Sequence, residues 1–199
     1  MAYCGKHTFS LIILLIAAIF AVAAASQYAI LPAICLAEEG PGAENSEEMA
    51  SYTTSFASSG TGRVNNIRLA AAALNGYAVQ PGQELSFNAA VGERTTERGY
   101  SVAKVIVDGE YVEGVGGGVC QVSSTLYNAW VLAGLDVVRV QGHSLPSGYV
   151  PMSQDATVSE YIDLVLKNDM AFPVQVRTKT DGTDLNIAVF GKKQSFKVT

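Results

Sequence analysis

The chain has 199 residues, a formal net charge of −5 and a hydrophobic content of 49%. That length suits one domain with accessory segments. The acidic balance and the lack of a basic patch predict that the protein binds no nucleic acid, and they argue against attraction to an anionic membrane surface.

The N-terminus has the pattern of an export signal. Lys6 precedes an uncharged apolar stretch, 9–25, which fits the basic start and apolar centre of a signal peptide. Small residues offer cleavage sites near the end of that stretch and after Ala37. Extended to Ala37, the segment is also long enough for an uncleaved membrane anchor. Residues 1–37 are therefore a signal peptide or an N-terminal membrane anchor, and the protein is secreted or membrane-anchored, outside the cytoplasm.

Residues 38–59 are acidic, rich in small and polar side chains and free of Lys and Arg. This composition predicts a flexible linker, within which "SYTTSF" could form a short edge strand. We assign residues 60–199 to the folded domain.

Helical spacing of apolar residues predicts two helices in that domain. The first carries Val64, Ile67, Ala71 and Leu74 and ends at Asn75-Gly76; the second carries Val122, Leu126, Ala129, Trp130 and Ala133 and ends at Gly134.

The other segments predict strands, turns and loops. A Pro-Gly turn precedes the short strand in "VQPGQELSFN", and "VGERTTERGY" is a loop. "SVAKVIVDGEYVEG" is a hairpin turning at Asp108-Gly109. "DVVRVQ" is a strand, "GHSLPSGYVPMSQDATV" a long loop, and "YIDLVLKN" a strand. "FPVQVRTK" and "LNIAVFGKK" form a hairpin through Asp181-Gly182. The predicted fold is α+β, a mostly antiparallel sheet with two core helices and Cys120 at the start of the second.

Five segments in this order, "LNG…PGQELSFN", "VGERTTERGY", "GGGVCQVSSTLYNA", "HSLPSGYVP" and "DATV", resemble the VanW family. The resemblance runs from about Arg63 to the C-terminal strands. The family takes its name from an accessory gene of a vancomycin-resistance cluster. Its members are extracytoplasmic bacterial proteins, often joined to modules thought to bind peptidoglycan. The resemblance therefore implies a cell-wall context with peptidoglycan or cell-wall peptides as partners, and it supplies no catalytic mechanism.

The cysteines leave two alternatives open. If cleavage follows Ala37, Cys120 is the lone cysteine of the mature chain, as a free thiol or an intermolecular partner. If Cys35 is retained, a Cys35–Cys120 disulfide remains an alternative.

Cys120 has the features of a nucleophile. It follows Gly116, Gly117 and Gly118 at the start of a helix, which stabilises a thiolate, and the amides of Cys120 and Gln121 could hold an oxyanion. The Gln121 side chain is a further donor. Downstream, His143 is the candidate base and Asp155 the candidate orienting acid, in the chain order of papain-like and NlpC/P60-type thiol hydrolases. Structural alternatives are a buried cysteine, a loop histidine bound to backbone, and an aspartate that braces its loop.

Other residues suggest ligand contacts. The amides of Gly116–Gly118 could cradle an anion, although no Lys-Ser/Thr pair follows to make a nucleotide loop. Arg94 and Arg98 could clamp a carboxylate, or instead pair with Glu93 and Glu97. Ser123, Ser124 and Thr125 are expected to cap amides, while Tyr127 and Asn128 could line a cleft. One His and one Cys make a poor zinc set, so we predict neither a metal nor a cofactor.

Two functions are consistent with these residues. The first is a thiol hydrolase or acyl-transferase that acts on peptidoglycan or its peptides. The second is a non-catalytic peptidoglycan-binding or accessory module that uses the same groove. If the protein is an enzyme, the Cys120 sulfur must lie within hydrogen-bond reach of His143.

Overall fold

The computed structural model describes residues 46–107 and 109–192. They belong to the second of two compact units in the chain, Pro41–Thr199. The predicted signal or anchor segment and Cys35, with its conditional disulfide, lie outside the described residues. Cys120 is a free thiol.

The described residues form three helices and nine strands. The helices are α1 (Thr61–Leu74), α2 (Phe87–Val91) and α3 (Val119–Leu132). The strands are β1 (Glu47–Ser55), β2 (Ala78–Val79), β3 (Glu84–Ser86), β4 (Val102–Val107), β5 (Glu110–Val115), β6 (Asp136–Arg139), β7 (Val165–Lys167), β8 (Val174–Thr180) and β9 (Asp184–Gly191).

The strands pair antiparallel in three sheets. A four-stranded sheet has the order β1-β9-β8-β2, a three-stranded sheet has the order β3-β7-β6, and β4 pairs with β5 as a hairpin. The predicted α+β class is confirmed, and so are the two predicted hairpins, whose turns contain Gly109 and Gly182 with φ of +80° and +105°.

The core lies between the two long helices and the four-stranded sheet. Helix α3 contacts β1, β9 and α1, while α1 also contacts β8. Both predicted apolar stripes are buried in this layer, where removal from water stabilises the fold by about 25 cal/mol per Å² of apolar surface. The buried members are Ile67, Ala71, Leu74, Val122, Leu126, Ala129 and Trp130.

Strand β1 lies inside the segment that the sequence predicted to be a flexible linker. It pairs with β9 from Glu47 opposite Gly191 to Ser55 opposite Asp184. The linker prediction is therefore wrong for Glu47–Ser55, and the short edge strand that was its alternative is confirmed and longer. Polar Ser and Thr side chains suit an edge strand with one face in water, and β9 supplies the hydrogen-bonding partner that local composition cannot reveal.

Two further elements differ from expectation. Helix α2 follows β3 directly and was not predicted; Ser86 caps it by accepting a hydrogen bond from the Ala89 amide at 3.0 Å. Strand β7, Val165–Lys167, is shorter than the segment "YIDLVLKN". Asp163, which precedes it, accepts a hydrogen bond from the Asn88 amide with its side chain at 2.9 Å.

Within residues 46–107 and 109–192, no helix has both the length and the apolar character required to cross a membrane.

Candidate active site

A glycine turn leads from β5 into α3. Gly116 and Gly118 have φ of +88° and +107°, in the region that favours glycine. Gly117 is buried, and a Cβ there would lie 2.5 Å from the Lys104 carbonyl oxygen of β4. The turn therefore needs glycine for both its torsions and its close packing. It places Cys120 at the second residue of α3, as the sequence predicted.

Side chains of α3 hold the loop between β6 and β7, which carries His143. The Ser123 hydroxyl donates to the Ala156 carbonyl at 2.6 Å, and the Ser124 hydroxyl accepts from the Ala156 amide at 2.9 Å. Asn128 donates its side-chain amide to the Gln154 carbonyl at 2.7 Å. These three side chains are buried, so their bonds fix the loop against the helix that carries the thiol.

The hydroxyls do not perform the predicted capping of first-turn amides. Ser124 donates to the Cys120 carbonyl at 2.7 Å, and Thr125 donates to the Gln121 carbonyl at 2.6 Å. Ser and Thr inside a helix commonly bond back to a carbonyl one turn earlier. Their role here is to join α3 to its surroundings.

His143 and Asp155 form a tight pair within that loop. One carboxylate oxygen of Asp155, Oδ2, lies 2.6 Å from the His143 ring nitrogen Nδ1 and 2.6 Å from its backbone nitrogen. The side chains are only 6% and 12% exposed. The double contact fixes the ring orientation and favours the tautomer with the proton on Nδ1.

The thiol of Cys120 completes a chain of three groups. The thiol lies close enough to the His143 ring to raise the pKa of that ring. Because Asp155 occupies Nδ1, the nitrogen that remains for the thiol is Nε2. The sulfur also lies 3.4 Å from the carbonyl oxygen of Val158. The structure thus brings together the three residues that the sequence singled out for catalysis.

The electrostatics of the pair favour its charged form. Burial alone would lower the pKa of His143, but Cys120 and then Asp155 outweigh it and raise that pKa above the usual value. Burial likewise opposes ionisation of Asp155, yet the hydrogen bonds from the His143 backbone and ring hold the pKa of Asp155 below its usual value. An imidazolium facing a carboxylate is therefore stabilised at this position.

Two arginines flank the glycine turn. Arg63 of α1 packs its aliphatic stem against Gly118, where a Cβ would lie 2.9 Å from Arg63 Cγ. Arg94 packs on the other end of the turn, where a Cβ on Gly116 would lie 3.1 Å from Arg94 Cβ. The two stems therefore bracket the segment that precedes Cys120.

Both guanidinium groups are half-buried, and they donate to neutral acceptors. Arg63 donates to the Gln121 side-chain oxygen at 2.6 Å and to the Ser59 hydroxyl at 3.1 Å. Arg94 donates to the Gly92 carbonyl at 3.1 Å and to the Ser159 carbonyl at 3.4 Å. The guanidinium groups thus carry charge that these bonds do not neutralise.

Burial lowers the pKa of both arginines, and negative charge on Cys120 acts in the opposite direction on each. Each guanidinium is therefore within electrostatic range of the thiol. Tyr149 lies on the Arg63 side, with its ring centre 5.8 Å from the guanidinium carbon. Burial, followed by the charge of Cys120, raises the pKa of Tyr149 far above its usual value, so the phenol stays protonated.

With this geometry in view, the comparisons with known proteins identify the domain. The model of a protein family described as VanW like protein matches residues 62–190. The chain belongs to the VanW family. The matched span includes the glycine turn, all of α3 and the loop that carries His143 and Asp155.

Two curated relatives are similar to this VanW-family chain. The uncharacterized protein YoaR of Bacillus subtilis (strain 168) is 42% identical over 147 residues, which cover 73% of this chain and 48% of YoaR. The vancomycin B-type resistance protein VanW of Enterococcus faecalis (strain ATCC 700802 / V583) is 31% identical over 138 residues, which cover 66% of this chain and 50% of that protein. The chain thus spans about half the length of these relatives. No solved structure matches it.

Gln121 of the VanW domain does not supply the predicted side-chain donor. Its side chain is 1% exposed. The side-chain nitrogen donates to the Thr54 hydroxyl at 3.0 Å and to the Ser55 carbonyl at 2.9 Å, and the oxygen accepts from Arg63. Both amide hydrogens are therefore used, and Gln121 positions Arg63 relative to β1.

One of the two predicted oxyanion amides is also engaged. The Gln121 backbone amide donates to the Gly118 carbonyl at 3.0 Å. The Cys120 amide has no backbone acceptor among the described residues, as expected for a second position in a helix. Of the two amides predicted to bind an oxyanion, only the Cys120 amide is therefore available as a donor.

Arg94 and Arg98, predicted to clamp a carboxylate together, lie in different surroundings. Arg94 reaches the site, whereas the exposed Arg98 lies over Gly92, and its guanidinium occupies the space that a Cβ on Gly92 would need. Neither forms an ion pair with Glu93 or Glu97 in the described part of the chain. An anion cradle formed by the Gly116–Gly118 amides stays a prediction, although Gly117 and Gly118 face β4 and α1.

Sequence reasoning missed Arg63 and Tyr149 as site residues. Arg63 occupied a polar position in the first helix, and Tyr149 lay within "HSLPSGYVP", one of the segments that resemble the family. The signal for Tyr149 was therefore present in that resemblance. No local pattern pointed to Arg63, because its place beside α3 depends on helix packing. Asn128 was expected to line a cleft and instead ties down the loop, while Tyr127 packs against the core.

Proposed function

We propose that this VanW domain is a thiol hydrolase or acyl-transferase that acts outside the cytoplasm on peptidoglycan or its peptides. The observation that carries the proposal is the partly buried group of Cys120, His143 and Asp155, in which an acid orients the base beside a free thiol. A nucleophile, a base and an orienting group within bonding reach are the parts that acyl transfer requires.

In this mechanism His143 Nε2 takes the proton of Cys120, and the sulfur attacks the carbonyl carbon of an amide. A carbon–sulfur bond forms, and the carbonyl electron pair moves onto the oxygen. The tetrahedral intermediate then collapses and the carbon–nitrogen bond breaks. The leaving amine takes the proton from the His143 imidazolium, which leaves a thioester on Cys120.

The thioester is resolved by water in a hydrolase, or by a second amine in an acyl-transferase. His143 removes a proton from the incoming nucleophile, whose oxygen or nitrogen forms a bond to the carbonyl carbon. The carbon–sulfur bond then breaks. The sulfur regains its proton from the imidazolium. Throughout, Asp155 keeps the ring in place and stabilises its charge, while the Cys120 amide at the start of α3 is placed to donate to the oxyanion.

Cell-wall material as the substrate is supported by the family and by the N-terminal sequence. One relative is named a vancomycin B-type resistance protein, and the resemblance to its family implies a cell-wall context. The apolar segment at 9–25 predicts export or anchoring, which would bring the domain to the wall.

Alkylation of Cys120 tests the proposal first. Folded protein treated with iodoacetamide at neutral pH should lose its free thiol, with labelling at Cys120 located by mass spectrometry. His143→Ala should slow labelling about tenfold or more, because the base is removed. Ser51→Ala, at a half-buried position on β1, is the control and should label at the native rate.

Digestion of purified peptidoglycan then tests the chemistry. Native protein should change the muropeptide profile in mass spectrometry, and Cys120→Ser should abolish the change while retaining the native melting temperature. A folded protein whose thiol resists alkylation, or a Cys120→Ser variant with full activity, would contradict the enzyme proposal. Retained wall binding by that variant would then favour an accessory module.

A further inference from the structure

Two positively charged side chains near Cys120, Arg63 and Arg94, form no ion pair among the described residues, although the carboxylate of Asp163 acts on Arg94 at longer range. The ion pair found among the described residues is between His143 and Asp155. Arg63 and Arg94 instead donate to neutral oxygens at 2.6–3.4 Å. Arginine does not lose its proton in proteins, so both charges persist although burial makes them costly. A half-buried guanidinium held in this way is suited to an anion from outside the chain.

The placement of these arginines is built into the fold. The Arg63 stem lies on Gly118 and the Arg94 stem on Gly116, at the two ends of the turn before the thiol. Arg63 is fixed further by Gln121, whose side chain is buried and bonded on both its oxygen and its nitrogen. The arginines therefore come from separate segments of the chain and lie at the two ends of the turn that leads to Cys120.

We propose that Arg63 and Arg94 bind a free carboxylate of the acyl donor next to the carbonyl that Cys120 attacks. The inference rests on the proposed function and names its substrate class: a peptide with an ionised carboxylate close to the scissile bond. A carboxylate is the anion that a peptide carries at neutral pH, and the planar fork of arginine matches its two oxygens. Arg63 and Arg94 act as binding residues, distinct from the Cys120–His143–Asp155 chain.

A pair of alkylating reagents tests the inference without a known substrate. Iodoacetate and iodoacetamide are similar in size and leaving group and differ in charge. The ratio of their alkylation rates at Cys120 is compared with the ratio for the same chain unfolded in urea. In native full-length protein the two arginines should raise the iodoacetate-to-iodoacetamide ratio about tenfold over the unfolded reference, by charge attraction over a few ångströms.

Substitutions assign the effect to the two side chains. Arg63→Gln and Arg94→Gln should each lower the ratio about threefold by removing one of the two nearby charges. Arg63→Lys keeps the charge and should retain most of the ratio. Arg68→Gln on α1 and Arg139→Gln on β6 make the same charge change at exposed positions and should leave the ratio unaltered. If Arg63→Gln fails to fold, Arg63→Lys and Arg94→Gln still test whether the arginine charges raise the ratio.

The outcomes separate the inference from the proposed function. A native ratio equal to the unfolded reference, or one that both glutamine variants leave unchanged, overturns the carboxylate site while the reactive thiol stands. A folded Cys120 that neither reagent labels overturns the proposed function and the carboxylate site with it. A ratio that falls in the two site variants and not in the two controls supports the site.

Discussion

At the scale of single residues, the site depends on the Asp155 carboxylate, which binds both the ring and the backbone of His143. Asp155 Oδ2 contacts both the ring and the backbone nitrogen of His143 at 2.6 Å, so one acid sets both the loop conformation and the ring orientation. The structural alternative for Asp155, a brace for its loop, is therefore compatible with an orienting role. The same contact explains the opposite pKa shifts of the two side chains.

We expect the His143 ring to titrate above the usual histidine value of about 6.5. Asp155→Asn should lower the pKa of His143, because the carboxylate no longer counteracts the effect of burial on the ring. Cys120→Ala should lower that pKa for the same reason. Titration of the ring carbon signals by NMR measures the shift, and substitution of His7, the other histidine of the chain, assigns the signals. A His143 pKa that stays unchanged in both variants would contradict this account.

At the scale of elements, strand β1 and helix α3 are joined by a buried polar cluster. The hydroxyls of Thr54 and Thr125 lie 2.8 Å apart, and Thr54 also accepts from Gln121. Because Gln121 holds Arg63, the edge strand contributes to the site although it lies far from Cys120 in sequence. Pairing of β1 with β9 is thus part of the functional architecture.

Thr54→Val should lower the free energy of unfolding by about 2 kcal/mol, because the isosteric change leaves a buried amide hydrogen of Gln121 without an acceptor. Thr53→Val is the matched control on the exposed face of the same strand, where water can replace the hydroxyl as partner of Asn186. It should change stability by less than about 0.5 kcal/mol. Urea denaturation of both variants gives the comparison, and equal effects would refute a structural role for the cluster.

At the scale of the whole molecule, the His143–Asp155 pair couples stability to pH. The lowered pKa of Asp155 gives a contribution that is present above the unfolded value of about 3.9 and is lost as pH falls through the folded value. The raised pKa of His143 gives a contribution that is complete below the unfolded value of about 6.5 and is lost as pH rises through the folded value. The pair therefore stabilises the fold most between these limits.

The loss of stability in Asp155→Asn should be greatest between about pH 4 and 6.5 and smaller at pH 3 and at pH 9. Urea midpoints of native and variant protein across this range measure the difference. Asp136→Asn, at an exposed position on β6, is the control and should show no such maximum. A destabilisation by Asp155→Asn that is constant with pH would show that the pair acts through packing alone.

The sequence by itself determined the two long helices, the turns and the position of Cys120, because each depends on a few adjacent residues. Apolar spacing located α1 and α3, Gly76 and Gly134 marked their ends, and Gly109 and Gly182 marked the two hairpin turns. These signals are local because periodicity and positive φ are properties of a few adjacent residues. The position of Cys120 followed from the preceding glycines and the start of the apolar run, whereas His143 and Asp155 were chosen because they follow Cys120 in the chain order of thiol hydrolases. The resemblance to the family was likewise carried by short segments.

Only the tertiary structure decided which distant side chains meet. Strand β1 forms because β9 offers an edge, the Gln121 side chain is occupied because β1 covers it, and Arg63 rather than Arg98 accompanies Arg94 because α1 packs beside α3. Each of these depends on contacts between segments far apart in the chain, which leave no local periodicity. The sequence therefore identified the candidate chemical groups. The packing of distant segments determined which side chains lie around the cysteine at the start of α3.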